Sequence, residues 1–214
     1  MTEKQATCEY CNSDNVPCIK LECKANYLAD NNINKLIKQS LVPTRYFNCN
    51  YESLTLEEKE MASEALKGDS TDIAVSGAVG RGKTSFSTAL FREWIRKGIT
   101  NKGFNGLWIT APEILAHIRS TYQRDSKETE REVINYYSKL PLLLIDDLGA
   151  EKQSDWSISA FYQILSDRVN WCKHTIITTN MGFIDMNDWE PRIASRVAGM
   201  HCIKMTGEDR RLNK

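Results

Sequence analysis

One octapeptide, Gly77–Thr84 (GAVGRGKT), constrains this chain more than any other segment. It follows a short apolar run at 72–75 and precedes a helix-like segment at 85–97. Its glycines allow the tight turns that point backbone N–H groups at an anion, and the N-terminus of the following helix adds a positive field. The alternative is a glycine-rich turn that only starts a helix. The complete G-x4-G-K-T pattern between a strand and a helix predicts a binding loop for a nucleoside triphosphate.

Two residues at the end of this phosphate loop have distinct expected roles. Lys83 is expected to reach the β- and γ-phosphates, and the Thr84 hydroxyl to hold Mg²⁺. The other predicted phosphate contacts are Gly77, Ala78, Val79, Gly80, Arg81, Gly82 and Ser85.

Length and composition limit the classes of protein to consider. The 214 residues fit one domain with a small appendage, and 41% apolar residues suffice for a core. The formal net charge of zero gives no overall attraction to nucleic acid or to a membrane surface. No apolar run approaches the roughly 18–20 residues of a membrane span, and the polar N-terminus does not resemble a signal peptide. We therefore expect a cytoplasmic protein without membrane contact.

Strand and helix patterns alternate along the chain. Continuous apolar strands separated by helices predict an α/β fold with a parallel sheet covered on both faces. The segment 42–47 is predicted to be extended, because Pro43 disfavours a helical conformation at Val42. The predicted strands are 72–75, 106–110, 142–146, 175–179 and 201–205, and the predicted helices are 26–39, 55–68, 83–97, 112–121, 129–138, 155–171 and about 190–198.

Two acids end the most apolar of these strands. Asp146 and Asp147 follow Leu142–Ile145, which places carboxylates at the edge of the sheet where ligands of open α/β sheets bind. Asp146 is predicted to hold the Mg²⁺ shell, and Asp147 to orient or deprotonate the attacking water. The alternative is a pair of acids that caps a loop.

Two further patterns lie downstream. Asn180 follows the next strand and could contact the γ-phosphate or its water, although Asn is also a common turn residue. Arg192 and Arg196 are four residues apart on a predicted helix that begins at Pro191, so they share one face. A solvated helix face is the alternative for this pair.

The order of these motifs resembles the AAA+ ATPases of the bacterial replicative-helicase loaders, the DnaC/DnaI type, within the IstB-like ATP-binding superfamily. The resemblance covers about residues 42–211 and is carried by the phosphate loop, LLLIDDLGAE at 142–151, IITTN at 176–180 and RIASRV at 192–197. It implies an AAA+ P-loop core that binds and hydrolyses ATP with Mg²⁺ and associates with copies of itself.

The resemblance also implies individual roles. Asn180 corresponds to the first sensor residue and Arg196 to the arginine finger, with Arg192 in support. Many members have Glu at the position of Asp147, which leaves the assignment of the general base open. The chain ends without the helical lid of larger AAA+ proteins, which leaves the role of a second sensor open. Arg45, Tyr46 and Phe47 correspond to an adenine-side lip, Arg210 to a closing segment, and Arg119, Tyr122, Ser154 and Trp156 to single-stranded DNA contacts.

For the predicted DNA contacts the residue types suit the role, since aromatic rings stack bases and arginine binds phosphate. Packing of the aromatic side chains on a helix face is the alternative.

Four cysteines fall within the first 23 residues, at positions Cys8, Cys11, Cys18 and Cys23. Four thiolates around Zn²⁺ form a closed structural site, and the first pair has the usual spacing whereas the second is wider. Free thiols and a redox pair are the alternatives. The other cysteines, expected to be small buried hydrophobes, are Cys49, Cys172 and Cys202.

The sequence thus predicts a zinc-binding module at 1–40, which binds a partner, and an ATPase domain at 41–214. The leading functional hypothesis is ATP-dependent loading of a hexameric replicative helicase onto single-stranded DNA in a bacterial or phage-infected cell, with hydrolysis between subunits. An IstB-type helper of transposition and a non-catalytic ATP-binding adaptor are the alternatives.

Overall fold

The computed structural model describes residues 32–67, 72–99, 106–150 and 154–210, and it is organised around one five-stranded sheet. All four strand pairings are parallel, and the strand order is β2-β3-β4-β1-β5. The predicted α/β class is confirmed. The strands are β1 (Asp72–Ser76), β2 (Gly106–Thr110), β3 (Leu142–Leu148), β4 (His174–Thr179) and β5 (His201–Lys204).

Helices connect and cover the strands. Four of them begin with a capping box in which Thr55, Thr110, Thr129 or Ser154 bonds to the third residue of the helix and accepts its N–H, as sequence-encoded helix starts do. The helices are α1 (32–39), α2 (Leu56–Lys67), α3 (Lys83–Ile99), α4 (Ala111–Ser120), α5 (Glu130–Lys139), α6 (Asp155–Asn170), α7 (Phe183–Trp189) and α8 (Pro191–Ala198).

The core consists of two apolar layers, one on each face of the sheet. In β3, Leu142 and Leu144 pack with α1, α2 and α3, whereas Leu143 and Ile145 pack with helices α4 to α8. This alternation follows from the two-residue period of a strand. Because both faces are covered, every one of these side chains is buried and the strand is apolar from Leu142 to Ile145.

Helix α1 belongs to the packed core. Ile33 and Ile37 are almost completely buried in the layer that also contains α3. Arg92 of α3 donates to the Asn34 side chain and, at 3.2 Å, to the carbonyl of Phe47. The last part of the predicted 1–40 module is therefore fixed to the helix that follows the phosphate loop.

Three sequence expectations were wrong. The segment 42–47 is not extended throughout, since Thr44–Tyr46 forms a 3₁₀ turn; the influence of Pro43 ends at its own neighbour. Helix α7 was not predicted, because a seven-residue helix is too short for a periodic pattern. Cys172 and Cys202 are exposed and Cys49 is half-buried, so the cysteines of the described core are not buried hydrophobes.

Within the described ranges, none of the helices combines the length and the apolar character that a bilayer span requires.

One buried arginine connects the end of α5 to the start of β4. Arg168 of α6 is fully buried and donates to the carbonyls of Tyr137 and Leu140 at 2.7 and 2.9 Å. It also donates to the Thr175 hydroxyl and the His174 carbonyl at the start of β4. Burial lowers its pKa to about 10, so the guanidinium stays charged at neutral pH.

Replacing this arginine with an apolar side chain of similar length should destabilise the fold. We expect Arg168→Met to lower the free energy of unfolding by about 3–5 kcal/mol, because buried carbonyls lose their donor. Urea denaturation followed by circular dichroism measures it. The control Arg131→Met changes an exposed arginine of α5 and should stay within about 0.5 kcal/mol of the unmodified protein. Equal effects of the two variants would contradict this role of Arg168.

Candidate functional site

A cavity of about 550 Å³ opens at the carboxyl edge of the sheet, where β1, β3 and β4 end. Ligands of open α/β sheets bind at this edge because strand ends and helix N-termini meet there. The residues that line it are Arg45, Tyr46, Val79, Gly80, Gly82, Lys83, Thr84, Ser85, Asp146, Asp147, Asn180 and Arg210.

The phosphate loop runs from β1 to the N-terminus of α3. Gly80 and Gly82 have φ values of 81° and 87°, a left-handed conformation that favours glycine. Lys83 is the first residue of α3 and is 5% exposed. Its ammonium donates to the carbonyl of Ala78 at 3.0 Å and to Oδ1 of Asn180 at 2.6 Å. The loop thus holds a buried cation beside backbone N–H groups, which is a site for an anion.

Asp146 lies at the centre of the site and is 4% exposed. The hydroxyls of Thr84 and Thr178 donate to its two carboxylate oxygens at 3.2 and 2.6 Å. One carboxylate therefore joins the phosphate loop to the ends of β3 and β4. Carboxylate and hydroxyl oxygens together are the donor set that Mg²⁺ prefers, so Thr84 and Asp146 fit this ion.

A break in the strand register brings Asp147 to the same cavity. Consecutive strand residues point to opposite faces, but the pairing of β3 with β4 shifts between Ile145 and Leu148. Asp147 has φ of 56°, an uncommon value that Asp tolerates better than most residues. Its N–H donates to the Thr178 hydroxyl at 2.9 Å. The bulge allows both acids to line the cavity.

Asn180 connects the acid to the lysine. Its Oδ1 accepts from Lys83 at 2.6 Å, and its Nδ2 lies 3.5 Å from Oδ1 of Asp147. An amide in this place can orient a polar group that lies between the loop and the carboxylates.

A short segment after β5 closes over the loop, and we call residues 205–210 the strap. The N–H of Met205 donates to Ser76 and that of Arg210 donates to the Gly80 carbonyl at 3.0 Å. A Cβ at Gly80 would lie 1.9 Å from the Asp209 carboxylate, so loop and strap are in close contact. The left-handed conformation favours glycine here, and a larger residue would also displace the Asp209 carboxylate.

The 3₁₀ turn lines the opposite wall. Arg45 and Tyr46 both line the cavity, with the Arg45 guanidinium 5.8 Å from the Tyr46 ring. Several other predicted nucleotide contacts are not among the residues that line the cavity. They are Phe47, Gly77, Ala78, Arg81 and Arg192.

Arg192 and Arg196 lie on the exposed side of α8, and their guanidinium groups contact the same aromatic ring. Their guanidinium groups lie 5.2 and 5.3 Å from the ring of Tyr162. Arg192 pairs with Glu190 at 2.8 Å, and Arg196 donates to the Ser166 hydroxyl at 3.2 Å. Neither arginine is among the described residues that line the cavity of their own chain.

Three of the four predicted DNA contacts form one surface cluster. The Arg119 guanidinium lies 5.1 Å from the Trp156 ring, and Trp156 Nε1 donates to the Tyr122 hydroxyl at 2.9 Å. Glu130, which sequence reasoning missed, accepts hydrogen bonds from both aromatic side chains and raises the pKa of Tyr122. Ser154 caps α6 instead.

The predicted zinc ligands Cys8, Cys11, Cys18 and Cys23 lie outside the described residues.

Residues 31–196 match the family described as IstB-like ATP binding protein, which is more than half of the chain. The chain belongs to this family. The replicative helicase loader DnaC of Buchnera aphidicola subsp. Baizongia pistaciae is 24% identical over 159 residues, covering 70% of this chain and 62% of that protein. DnaC of Escherichia coli strain K12 is 26% identical over 148 residues, covering 65% and 58%.

A crystal structure of DnaI matches with a TM-score of 0.62 at 20% identity, covering 80% of this chain and 95% of that one. At this identity the likeness establishes the fold alone. The chain spans about three-fifths of the length of the two DnaC relatives.

In this IstB-like protein, sequence reasoning missed the residue that joins the two acids. Thr178 is fully buried in β4 and bridges Asp146 and Asp147 through its hydroxyl. Its one signal in the sequence is a threonine pair that follows two isoleucines at the end of the strand, which β-propensity alone also explains.

The environment of Asp146 makes its charge costly. Burial raises its pKa to about 6, and the neighbouring Asp147 acts in the same direction, while bonds from Thr178 and Thr84 and the Lys83 charge oppose the shift. Because the folded-state pKa lies above the unfolded value, this group favours folding below pH 4, and that contribution is lost as pH rises to about 6.

Removing the charge of Asp146 should therefore stabilise the metal-free protein at high pH. We expect Asp146→Asn to raise the free energy of unfolding by about 3 kcal/mol at pH 8 and to have little effect at pH 4. Urea denaturation in chelating buffer across this range measures the difference. Asp125→Asn, at an exposed position, should show no such pH dependence. A pH-independent effect of Asp146→Asn would contradict burial of the charge as the cause.

Proposed function

We propose that the protein is a Mg²⁺-dependent ATPase that binds ATP in the cavity at the carboxyl edge of the sheet. The observation that carries this proposal is the convergence of Lys83, Thr84, Asp146 and Asn180 from the ends of β1, β3 and β4. A buried ammonium and loop N–H groups suit the phosphates, and a two-oxygen ligand set suits the metal. The family description as ATP binding proteins supports the identity of the nucleotide.

The residues of the cavity divide into binding and chemical roles. Lys83 and Arg210 would neutralise phosphate charge, and Tyr46 with Arg45 would flank the base and ribose. Thr84 and Asp146 would hold Mg²⁺, which would supply electrostatic stabilisation of the phosphoryl oxygens. Asp147 and Asn180 face the same space and would orient the attacking water between them.

Hydrolysis in this proposal needs a second copy of the chain. Arg192 and Arg196 are presented on α8 and do not line the cavity of their own chain. An arginine delivered to a neighbour's γ-phosphate stabilises transition-state charge. Tyr162 holds both guanidinium groups within 5.3 Å of one ring, which limits their rotamer freedom before docking.

This arrangement makes turnover dependent on concentration. We expect Arg196→Ala to keep ATP binding and to lower kcat of the assembled protein by about 10³–10⁵, whereas Lys83→Ala abolishes binding. Steady-state turnover across protein concentrations and equilibrium ATP binding measure the two effects. Arg131→Ala, an exposed arginine of α5, is the control that leaves both unchanged. Full turnover by a verified monomer, unchanged in Arg196→Ala, would contradict hydrolysis between subunits.

The work driven by ATP is, we propose, the loading of a hexameric replicative helicase onto single-stranded DNA. Support comes from the DnaC relatives, which are named replicative helicase loaders. We assign the partner contact to the zinc-binding module within 1–40, with the ATPase domain at 41–214. The relation of α1 to α3 through Ile33, Ile37 and the Arg92–Asn34 bond would link this module to the nucleotide site.

Single-stranded DNA would bind at the surface cluster of Arg119, Tyr122 and Trp156. Two exposed or half-exposed rings and a guanidinium offer stacking and phosphate contacts. Glu130 accepts hydrogen bonds from the polar atoms of both rings and so orients their faces. Its negative charge would repel a phosphate group that comes close to it. Such a site predicts modest affinity that falls with salt.

Two other functions use the same core. A helper ATPase for transposition is the function favoured by the family's description as IstB-like, and it would bind a transposase instead of a helicase. A non-catalytic adaptor would use ATP as a ligand only, and Asp147 in place of the longer Glu favours it. Capture of the partner and measurement of turnover separate these from the loader.

The partner contact can be tested in the full chain. We expect the purified protein to contain about one zinc per chain and to capture a bacterial replicative helicase in the presence of ATP. Cys8→Ala with Cys11→Ala should remove both zinc and helicase, because two of four ligands are lost. Lys83→Ala should retain the helicase, and the exposed Cys172→Ala is the matched control.

Elemental analysis and a pull-down with purified helicase give the two readouts. Capture of the helicase by the double cysteine variant, with zinc absent, would contradict the role of the metal. Capture of a transposase and not of helicase would favour the alternative function.

A further inference from the structure

An ion pair between a buried carboxylate and a half-exposed guanidinium connects the strap to helix α2. Arg210 of the strap donates from Nη2 to Oε1 of Glu58 at 2.7 Å. The Glu58 side chain is 4% exposed, whereas that of Arg210 is 48% exposed and lines the nucleotide cavity. The two residues are 152 positions apart, so neither helix patterns nor loop motifs in the sequence predict this pair.

Glu58 is committed on both carboxylate oxygens. Its Oε2 accepts from the N–H of Thr55 at 2.9 Å, and the Thr55 hydroxyl accepts from the Glu58 N–H, which is the capping box of α2. The capping role alone is met by an exposed Glu or Gln, so it does not require a buried charge. Burial of this carboxylate is tolerated because Arg210 compensates it.

Arg210 is held between the carboxylate and the phosphate loop. Its guanidinium lies so close to Gly82 that a Cβ there would be 2.8 Å from Nη1. Its backbone N–H donates to Gly80. The guanidinium has five N–H donors in a planar fork, and one of its nitrogens is directed to Glu58. The remaining donors lie at the loop that ends in Lys83.

We propose that Glu58 is a positioning residue that fixes the Arg210 guanidinium for a phosphate of the nucleotide. This proposal rests on the proposed function, since it requires ATP in the cavity. The fork geometry lets one arginine bond a carboxylate and a phosphate at once. Glu58 thereby selects the rotamer of Arg210 before ATP arrives and removes part of the entropy cost of binding.

The burial of Glu58 determines whether Arg210 stays bonded to it when a phosphate binds. If the phosphate took the guanidinium away, a buried carboxylate would lose its charge partner, which is strongly unfavourable. Arg210 therefore bridges Glu58 and phosphate, and the first turn of α2 is bonded to the nucleotide through one side chain. Binding of ATP in the cavity therefore stabilises the first turn of α2 through Arg210 and Glu58.

A double-mutant cycle on the full chain tests the pairing. Equilibrium affinities for ATP and ADP with Mg²⁺ are measured for the unmodified protein, Glu58→Gln, Arg210→Ala and the double variant. Glu58→Gln retains the acceptor for Thr55 and removes only the charge. The matched control is Glu57→Gln, which changes the adjacent, exposed acid of α2.

We expect Arg210→Ala to weaken ATP binding by about tenfold, the loss of one charge-assisted bond. Glu58→Gln should weaken it by a smaller factor, and should add nothing in the Arg210→Ala background. Glu57→Gln should bind as the unmodified protein does. An effect of Glu58→Gln that is the same with or without Arg210, or no effect in either background, would overturn the positioning role.

A second readout does not depend on the stability of the Glu58 variant. ATP should slow amide hydrogen exchange in the first turn of α2 in the unmodified protein and not in Arg210→Ala. Equal protection in both proteins would overturn the bridge to α2. Absence of ATP binding by the unmodified protein would instead overturn the proposed function itself, so the two failures are distinguishable.

Discussion

The hydrogen bonds to the Asp146 carboxylate are the interaction on which the site depends. Asp146 lies near the end of β3, Thr178 lies in β4, and Thr84 follows the phosphate loop after β1, so three strand connections meet at one pair of oxygens. The cost of burying this charge appears as its raised pKa. A divalent cation at the same oxygens would remove that cost, which couples ligand binding to the stability of the sheet edge.

Much of this arrangement was accessible from the sequence because local rules determine it. The glycine loop, the apolar strands and the acids at a strand end all report their positions through short-range patterns. Parallel pairing then places the carboxyl ends together, so the meeting of Lys83 with Asp146 follows from topology.

The contacts that sequence reasoning missed depend on tertiary geometry. The hydroxyl bridge of Thr178 requires the register shift in β3, and the pairing of Glu58 with Arg210 joins residues 152 positions apart. Glu130 is one of many acids on a polar helix, and nothing in its local sequence marks it as the partner of Trp156. Exposure of Cys172 was equally hidden, since cysteine composition says little about the position of one residue.

The packing of α1 on α3 has a mechanical consequence. Arg92 lies nine residues beyond Lys83, about 14 Å along the same rigid helix. Any tilt of α3 would be transmitted to α1 through Asn34 and the buried isoleucines Ile33 and Ile37. Helix α3 thus connects the phosphate loop at one end to α1, the start of the described chain, further along its length.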